Sequence, residues 1–189
     1  TGGTGATFGA DGDLTTDNTI QVNATATAND ITMVNDTEFN ATDGVIDLNA
    51  GGNVVLGQLT TSNTVNVDAT AGAISDITAA ETANISGSTV TLVADSGIGA
   101  TGAATDIDTT ATTLNATTTT NGIYLTETDS VALGTLSTTS SGDITVVAGG
   151  AITTSGTTST AGAGNIDIST TAGAITIDNA VTANGTGTV

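Results

Sequence analysis

The stretch GDITVVAGGAI, residues 142–152, returns further along the chain as GNIDISTTAGAI, residues 164–175. In both copies Ile or Val alternates with other residues, and small residues with Gly follow. Periods of about 20 residues are typical of solenoids, because one such unit cannot bury an apolar face alone and must stack on its neighbours. Three further echoes support the repeat: VNVDATAGAIS at 65–75 with IDISTTAGAIT at 166–176, VTLVADSGI at 90–98 with ITVVAGGAI at 144–152, and VVLGQLTTS at 54–62 with VALGTLSTT at 131–139.

Apolar residues spaced two apart indicate short, half-buried strands along the chain, and their β-branched character favours strands over helices. Seven of these residues are candidates for the starts of successive units, with a mean spacing of roughly 20 residues. They are Ile46, Val65, Val90, Ile107, Ile123, Ile144 and Ile166. A second apolar site usually follows near the middle of the unit: Val54, Ile74, Ile98, Val131, Ile152 and Ile175.

Two or three short strands per unit, separated by Gly, Asn, Asp and Ser turns, describe one coil of a parallel β-helix. Coils of this kind stack about 4.8 Å apart, so roughly nine coils would form a rod about 40 Å long. The sequence therefore predicts an all-β β-solenoid of roughly 20 residues per coil, with apolar columns inside and hydrogen-bonded Thr, Ser, Asn and Asp ladders outside. Gly before Asn or Asp is expected at the corners, where φ is positive.

The repeat pattern predicts one continuous array over residues 45–189. Residues 1–44 are less regular and carry Phe8, Met33 and Phe39, and they are either looser coils or a capping segment. The ends of such an array are bare strand edges. We therefore expect its partners to be neighbouring repeats or copies of itself stacked end to end.

The charge of the chain excludes several classes of partner. It has 19 Asp and Glu but no Lys, Arg or His, which gives a formal net charge of −19 at pH 7. Nucleic acids and anionic lipid surfaces are excluded as partners, because their binding depends on Lys and Arg. Cations, glycans and basic host or cell surfaces remain. No apolar run is long enough to predict a transmembrane segment.

The segments SGIGATGAATDIDTTATTLNATTTTNGIYLTETDSVALGTL at 96–136 and SGDITVVAGGAITTSG at 141–156 resemble repeats of filamentous-haemagglutinin-like exoproteins and other giant bacterial surface adhesins. The resemblance covers most of residues 44–189. It implies a right-handed parallel β-helix on a long secreted or cell-surface fibre used in attachment or matrix building. The amino-terminal secretion domain of two-partner exoproteins is not recognisable in this sequence.

The sequence offers few residues for catalysis. Without His, Lys or Cys, a Ser or Thr hydroxyl has no ordinary base. Asp106 with Asp108, and Glu127 with Asp129, have the i, i+2 spacing that places two carboxylates on one face of a strand, as a glycoside hydrolase would need. The same spacing arises wherever acidic turn residues flank a coil. We therefore favour structural carboxylates and expect no enzyme activity.

Asp11, Asp13 and Asp17 are a weak calcium candidate. Their D-x-D-x-x-x-D spacing loosely resembles a calcium loop, but Thr15 takes the fifth position and no Glu closes the twelfth. Diffuse condensation of cations on the acidic surface is the favoured alternative. No cofactor is expected to be required, with calcium as the one candidate.

These observations together predict a structural, adhesive segment of a secreted or cell-surface bacterial fibre, extracellular in location and acting as a stiff repetitive scaffold. One alternative is a self-assembling extracellular filament subunit. A second is a carbohydrate-active β-helix protein, for which Tyr124 could stack on a sugar, although a half-buried strand position is the favoured interpretation of this residue.

Overall fold

The computed structural model describes residues 5–78 and 82–189, and every regular element in these residues is a β-strand. Most strands are short, and two in the middle of the chain are much longer. The strands are β1 Ala6–Phe8, β2 Leu14–Thr15, β3 Ile20–Ala24, β4 Ile31–Met33, β5 Glu38–Asn40, β6 Ile46–Ala50, β7 Val54–Leu56, β8 Gln58–Thr60, β9 Thr64–Ala69, β10 Ile74–Asp76, β11 Ile85–Ala94, β12 Ile107–Thr118, β13 Ile123–Glu127, β14 Val131–Thr138, β15 Ile144–Ala148, β16 Ile152–Thr154, β17 Thr158–Thr160, β18 Ile166–Thr170, β19 Ile175–Thr176 and β20 Val181–Ala183.

The strands stack in parallel as successive turns of a β-solenoid. One column runs through eight turns: Ala6, Ile31, Val54, Ile74, Ile98, Ile123, Ile144 and Ile166. The predicted parallel β-solenoid is therefore confirmed. It has about eight turns rather than nine, and successive turns are about 22 residues apart, slightly more than the sequence predicts.

Several neighbouring members of the two predicted sets are confirmed as vertical neighbours, but neither set forms one column. Ile123 was wrongly grouped with Val90, since it stacks on Ile98, and Val131 was wrongly grouped with Ile98. Ile46, Val65 and Val90 stack in one column, Val54, Ile74 and Ile98 continue into Ile123, Ile144 and Ile166 in another, and Val131, Ile152 and Ile175 form a third.

Ile107 was wrongly predicted to follow Val90 in its column. Val90 aligns with Leu114, whereas Ile107 aligns with Leu125 of the next turn. The cause is a loop at residues 99–106, which is inserted into the wall of the solenoid and has no counterpart in the following turn, where Ile123 and Leu125 pair with Ile98 and Ile107. A constant spacing therefore cannot be carried through this part of the chain.

The described part of the less regular amino-terminal segment, from residue 5 to 44, also lies in the stack. β1, β2 and β3 pair in parallel with β4, β5 and β6. The Phe8 and Phe39 rings of these first turns meet edge to face, with ring centroids 4.8 Å apart. A capping role for this segment stays a prediction.

A column of small residues lines one inner corner and changes from Ala to Thr halfway along the rod. Its members are Ala24, Ala50, Ala69, Ala94, Thr118, Thr138, Thr160 and Ala183. The Thr160 hydroxyl donates to the carbonyl of Gly164 at 2.7 Å, and that of Thr138 donates to Gly142 at 3.2 Å. These buried hydroxyls are therefore satisfied locally, as buried polar groups must be.

The predicted side-chain ladders are present at the corners. Oδ1 of Asp143 accepts the backbone N–H of Asn165 at 2.7 Å, and Oδ1 of Asn165 accepts the N–H of Thr188 on the following turn at 3.0 Å. Asp30 and Asn53 repeat the arrangement near the other end, where the Asn53 N–H donates to Oδ1 of Asp30 at 2.6 Å. Each corner side chain therefore ties its own turn to the next one.

The glycines that precede these corner residues stack backbone to backbone. A Cβ on Gly142 would lie 2.2 Å from the nitrogen of Gly122, and one on Gly164 would lie 2.1 Å from the carbonyl oxygen of Gly142. Gly122 and Gly142 also have the expected positive φ, at 91° and 114°. Gly164 has no such φ, so at this position the close approach of the chain alone requires glycine.

We predict that Gly164→Ala lowers the free energy of unfolding by about 2–3 kcal/mol, because the added methyl group would overlap backbone that cannot move without disturbing the stack. Gly9→Ala is the matched control, since a Cβ there meets nothing within 4 Å. We expect the control to change stability by less than about 0.5 kcal/mol in urea denaturation followed by circular dichroism. Equal effects of the two changes would contradict the glycine column.

Candidate functional site

Asp106, Asp108, Glu127 and Asp129 lie on two neighbouring turns near the middle of the rod. Asp108 aligns with Thr126, and Thr109 aligns with Glu127 on the next turn. The pair Glu127 and Asp129 is not arranged for catalysis, because Glu127 points into the core and is 1% exposed while Asp129 lies in an exposed turn. The carboxylates of this pair therefore do not face a common ligand, whereas Asp106 and Asp108 are both buried on the preceding turn.

Glu127 is an acid inside the apolar interior. It continues the inward alternation of Ile123 and Leu125 along β13. Its carboxylate accepts the Thr109 hydroxyl at 2.7 Å and the N–H of Ala111 at 3.0 Å. Burial raises the pKa of Glu127 from 4.5 to about 7, because removing the charged form from water costs more than these hydrogen bonds recover.

A shallow groove of about 360 Å³ crosses four turns on the outside of the rod. We call it the hydroxyl groove, because seven of its ten lining residues are Ser or Thr and only one, Asp129, is charged. Hydroxyl groups both donate and accept hydrogen bonds, so this surface is chemically suited to neutral, hydroxyl-rich ligands such as glycans. Its lining is Thr61, Ser62, Ser86, Gly87, Ser88, Thr110, Ala111, Thr112, Asp129 and Ser130.

A second groove, of about 330 Å³, lies beneath the inserted loop 99–106, and we call it the overhang groove. One wall is the loop itself, and the other is the outer face of β13 and β15. Its lining is more apolar than that of the hydroxyl groove. The residues are Ala100, Thr101, Gly102, Ala103, Asp106, Tyr124, Leu125, Thr126, Thr145 and Val147.

The loop over this groove is held by its own backbone. The N–H of Ala100 donates to the carbonyl of Thr105 at 2.8 Å, and the N–H of Thr105 donates to that of Gly102 at 2.9 Å. Gly102 and Gly99 have φ of 111° and 64°, which lets the chain leave and re-enter the wall within a short loop. The loop is thus a compact structure that shapes the groove.

Asp106 closes the loop and is the one charged residue in the lining of the overhang groove. It is 9% exposed, and its Oδ2 accepts the Thr126 hydroxyl at 2.5 Å. Its other oxygen, Oδ1, is buried and has no hydrogen-bond donor among the described residues. Sequence reasoning weighed Asp106 only as half of a catalytic pair and did not identify this unpartnered oxygen.

Tyr124 is a half-buried residue on the outer face of β13, as favoured from the sequence. It lines the overhang groove and aligns with Thr145 of the next turn. Burial raises the pKa of Tyr124 above its usual 10, and the nearby Asp143 carboxylate adds to the effect. The phenol therefore remains neutral at physiological pH.

The three residues of the calcium candidate lie on the exposed surface of the first turn. Asp11, Asp13 and Asp17 are all exposed, and Oδ1 of Asp13 accepts the backbone N–H of Glu38 at 2.8 Å. No group of three or more acidic side chains in residues 5–78 and 82–189 is arranged to hold a metal ion. The structure therefore does not bring these three carboxylates together as a metal site.

Comparisons with known proteins add no relative. No family model, no curated protein and no solved structure matches the chain. Over the described parts of the chain, there is also no helix with the length and apolar character needed to cross a membrane. The fold assignment therefore rests on the strand register, and the adhesin family remains a resemblance.

We predict that Glu127 makes stability depend on pH. Because its folded-state pKa is raised, its stabilising contribution is complete below about pH 4.5 and is lost as the pH rises through about 7. The free energy of unfolding of Glu127→Gln, measured by urea denaturation, should therefore rise by about 2 kcal/mol relative to that of the wild type when the pH is raised from 4 to 8. Glu38→Gln, which removes the same charge from a strand near the surface, should show no such relative gain. If the free energy of unfolding changed with pH in the same way for all three proteins, the raised pKa of Glu127 would be contradicted.

Proposed function

We propose that the chain is a structural segment of a secreted or cell-surface bacterial fibre, acting as a stiff scaffold in attachment or in an extracellular matrix. The observation that carries this proposal is the unbroken column through eight turns. A fold whose length grows by adding similar layers is suited to spanning distance rather than to enclosing a reactive centre.

Stiffness is supported by the way consecutive turns are joined. Backbone hydrogen bonds run between turns on every face, and corner side chains such as Asp143 and Asn165 add bonds parallel to the rod. Bending such a rod requires that bonds on the outer side of the bend lengthen together. The energy of bending is thus shared among many weak bonds of about 1 kcal/mol each.

Display is supported by ordered polar rows on the outside. Thr117, Ser137, Ser159 and Thr182 stand in one outward row, each on a successive turn. The row presents hydroxyls at the layer spacing of about 4.8 Å. A neutral hydroxyl array on a polyanionic rod can bind glycans while the net charge of −19 keeps neighbouring rods apart.

A second candidate is a self-assembling filament subunit, in which copies of the rod would stack on the turn that carries Ile175. Ile175, Ile177 and Val189 are 40%, 55% and 76% exposed, and they surround a groove of about 410 Å³ at the end of the apolar interior. In the preceding turns, Val131 and Ile152 of the Ile175 column are buried. A further layer on this end would bury the exposed side chains. A carbohydrate-active protein stays a third alternative, through the hydroxyl groove alone.

We predict that attachment tolerates loss of a whole turn but not of half a turn. Deleting residues 144–165 removes one turn and joins Asp143 to Ile166, which can take the place of Ile144 over Ile123. Deleting residues 144–154 leaves the following strands out of register, so the stack should unfold. On cells displaying the chain, the first deletion should keep most adhesion to glycan-coated surfaces, and the second should lose it. Adhesion by neither the intact chain nor the whole-turn variant would contradict the proposal.

We predict that end-to-end assembly, if the filament alternative holds, is blocked by Ile177→Asp. The change places a charge in the apolar groove formed with Ile175 and Val189, whereas Ile77→Asp places one at a similarly exposed position, 41% against 55%, outside that groove. Sedimentation velocity in physiological salt with magnesium ions should show end-to-end assemblies of several chains for the wild type and the Ile77 variant, and monomers for the Ile177 variant. A wild type that remains monomeric at all protein concentrations would exclude this alternative.

A further inference from the structure

We propose that the overhang groove binds the primary ammonium group of a lysine side chain supplied by a basic partner protein. This inference does not depend on the proposed function, because it concerns one local site and holds for a fibre segment or a free subunit alike. It rests on the position of the loop, the unpartnered oxygen of Asp106, the apolar walls and the composition of residues 1–189.

The groove has a defined architecture. Tyr124 and Thr126 point outward from β13, two positions and therefore about 7 Å apart. Thr145 and Val147 stand beside them on the next turn, since Tyr124 aligns with Thr145 and Thr126 with Val147. Loop 99–106 covers this face from the preceding turn. The result is a slot between a β-sheet surface and a backbone loop.

Asp106, which lines the slot, carries an acceptor that the described residues do not satisfy. Asp106 is more than nine-tenths buried, and only its Oδ2 has a donor, the Thr126 hydroxyl. Oδ1 is buried without a donor among the described residues. An unpartnered carboxylate oxygen in a buried position costs free energy, and a donor that enters the groove would recover it.

The chain cannot supply a cation for this site. Residues 1–189 contain no Lys, Arg or His, so none of their side chains can act as the cationic donor. A cation is favoured over a neutral donor by the net charge of −19 and by the Asp143 carboxylate, which is close enough to Tyr124 to raise the pKa of its phenol. A charge-assisted hydrogen bond is also about twice as strong as a neutral one.

The walls of the slot suit the stem of a lysine. Ala100, Ala103 and Val147 offer apolar contact to a chain of methylene groups, and the Tyr124 ring can contact both the stem and the ammonium. A guanidinium is a planar group with five donors that pairs best with two acceptors side by side. Asp106 has only one oxygen to offer, which favours the compact ammonium of lysine over arginine.

The experiment uses N-acetyl-lysine N-methylamide as the probe, titrated into the full chain labelled with ¹⁵N and followed by NMR. The corresponding norleucine compound has a similar stem but no charge, and it serves as the control ligand. Asp106→Asn keeps the size of the side chain and removes its charge. Asp129→Asn is the matched control variant, because it removes one charge from the exposed lining of the hydroxyl groove.

We expect amide shifts confined to residues 99–106, 124–126 and 145–147, with norleucine binding at least tenfold weaker than lysine. Asp106→Asn should weaken lysine binding at least fivefold, and Asp129→Asn less than twofold. Equal weakening by the two variants would show general attraction to a polyanion and overturn the proposal. Shifts spread over the whole rod, equal binding of norleucine, or no binding would overturn it too.

The shift pattern of the wild-type chain decides the question even if Asp106→Asn fails to fold. Tyr124→Leu provides a second test, because it keeps an apolar wall but removes the aromatic ring. This variant should weaken lysine binding about two- to fivefold without changing the position of the shifts. Binding that is unaffected by it, together with shifts outside the overhang groove, would also contradict the site.

Discussion

The whole structure depends on one constraint: the backbone N–H and C=O groups of each turn must be satisfied by the turns above and below it. This requirement fixes the layer spacing at about 4.8 Å. Because the chain winds in one direction, each strand runs parallel to its neighbours. It is consistent with a chain that has no proline, since a proline in an inner turn would leave an acceptor without its donor. It also explains why Gly142 and Gly164 lie directly over one another, where any side chain would hold two layers apart.

Sequence reasoning succeeded where a turn repeats its neighbour and failed where one does not. The echo between residues 142–152 and 164–175 led directly to the observed register of Ile144 over Ile166. The loop at 99–106 has no alternating large apolar residues. Its composition therefore does not show whether it projects from the wall of the solenoid or forms a strand of that wall. Because this loop was not recognised, Ile107 was assigned to the wrong column.

The position of Glu127 was available in the pattern but was not used. Glu127 is in phase with Ile123 and Leu125, and strict alternation places all three inside. Because Glu127 is charged, it was predicted to be exposed on the same face of the strand as Asp129. The unpartnered oxygen of Asp106 had no such signal, because it arises from the way the loop folds over Thr126.

Loop 99–106 has a consequence for survival in a protease-rich setting. Exposed loops are the usual sites of proteolytic cleavage, because a protease needs a segment that can extend into its active site. This loop reads Gly-Ala-Thr-Gly-Ala-Ala-Thr-Asp and contains no basic or aromatic residue, so trypsin-like and chymotrypsin-like enzymes find no preferred bond in it. Because the N–H groups of Ala100, Thr105 and Asp106 are bonded within the loop, this segment of the wall also resists the extension that digestion requires.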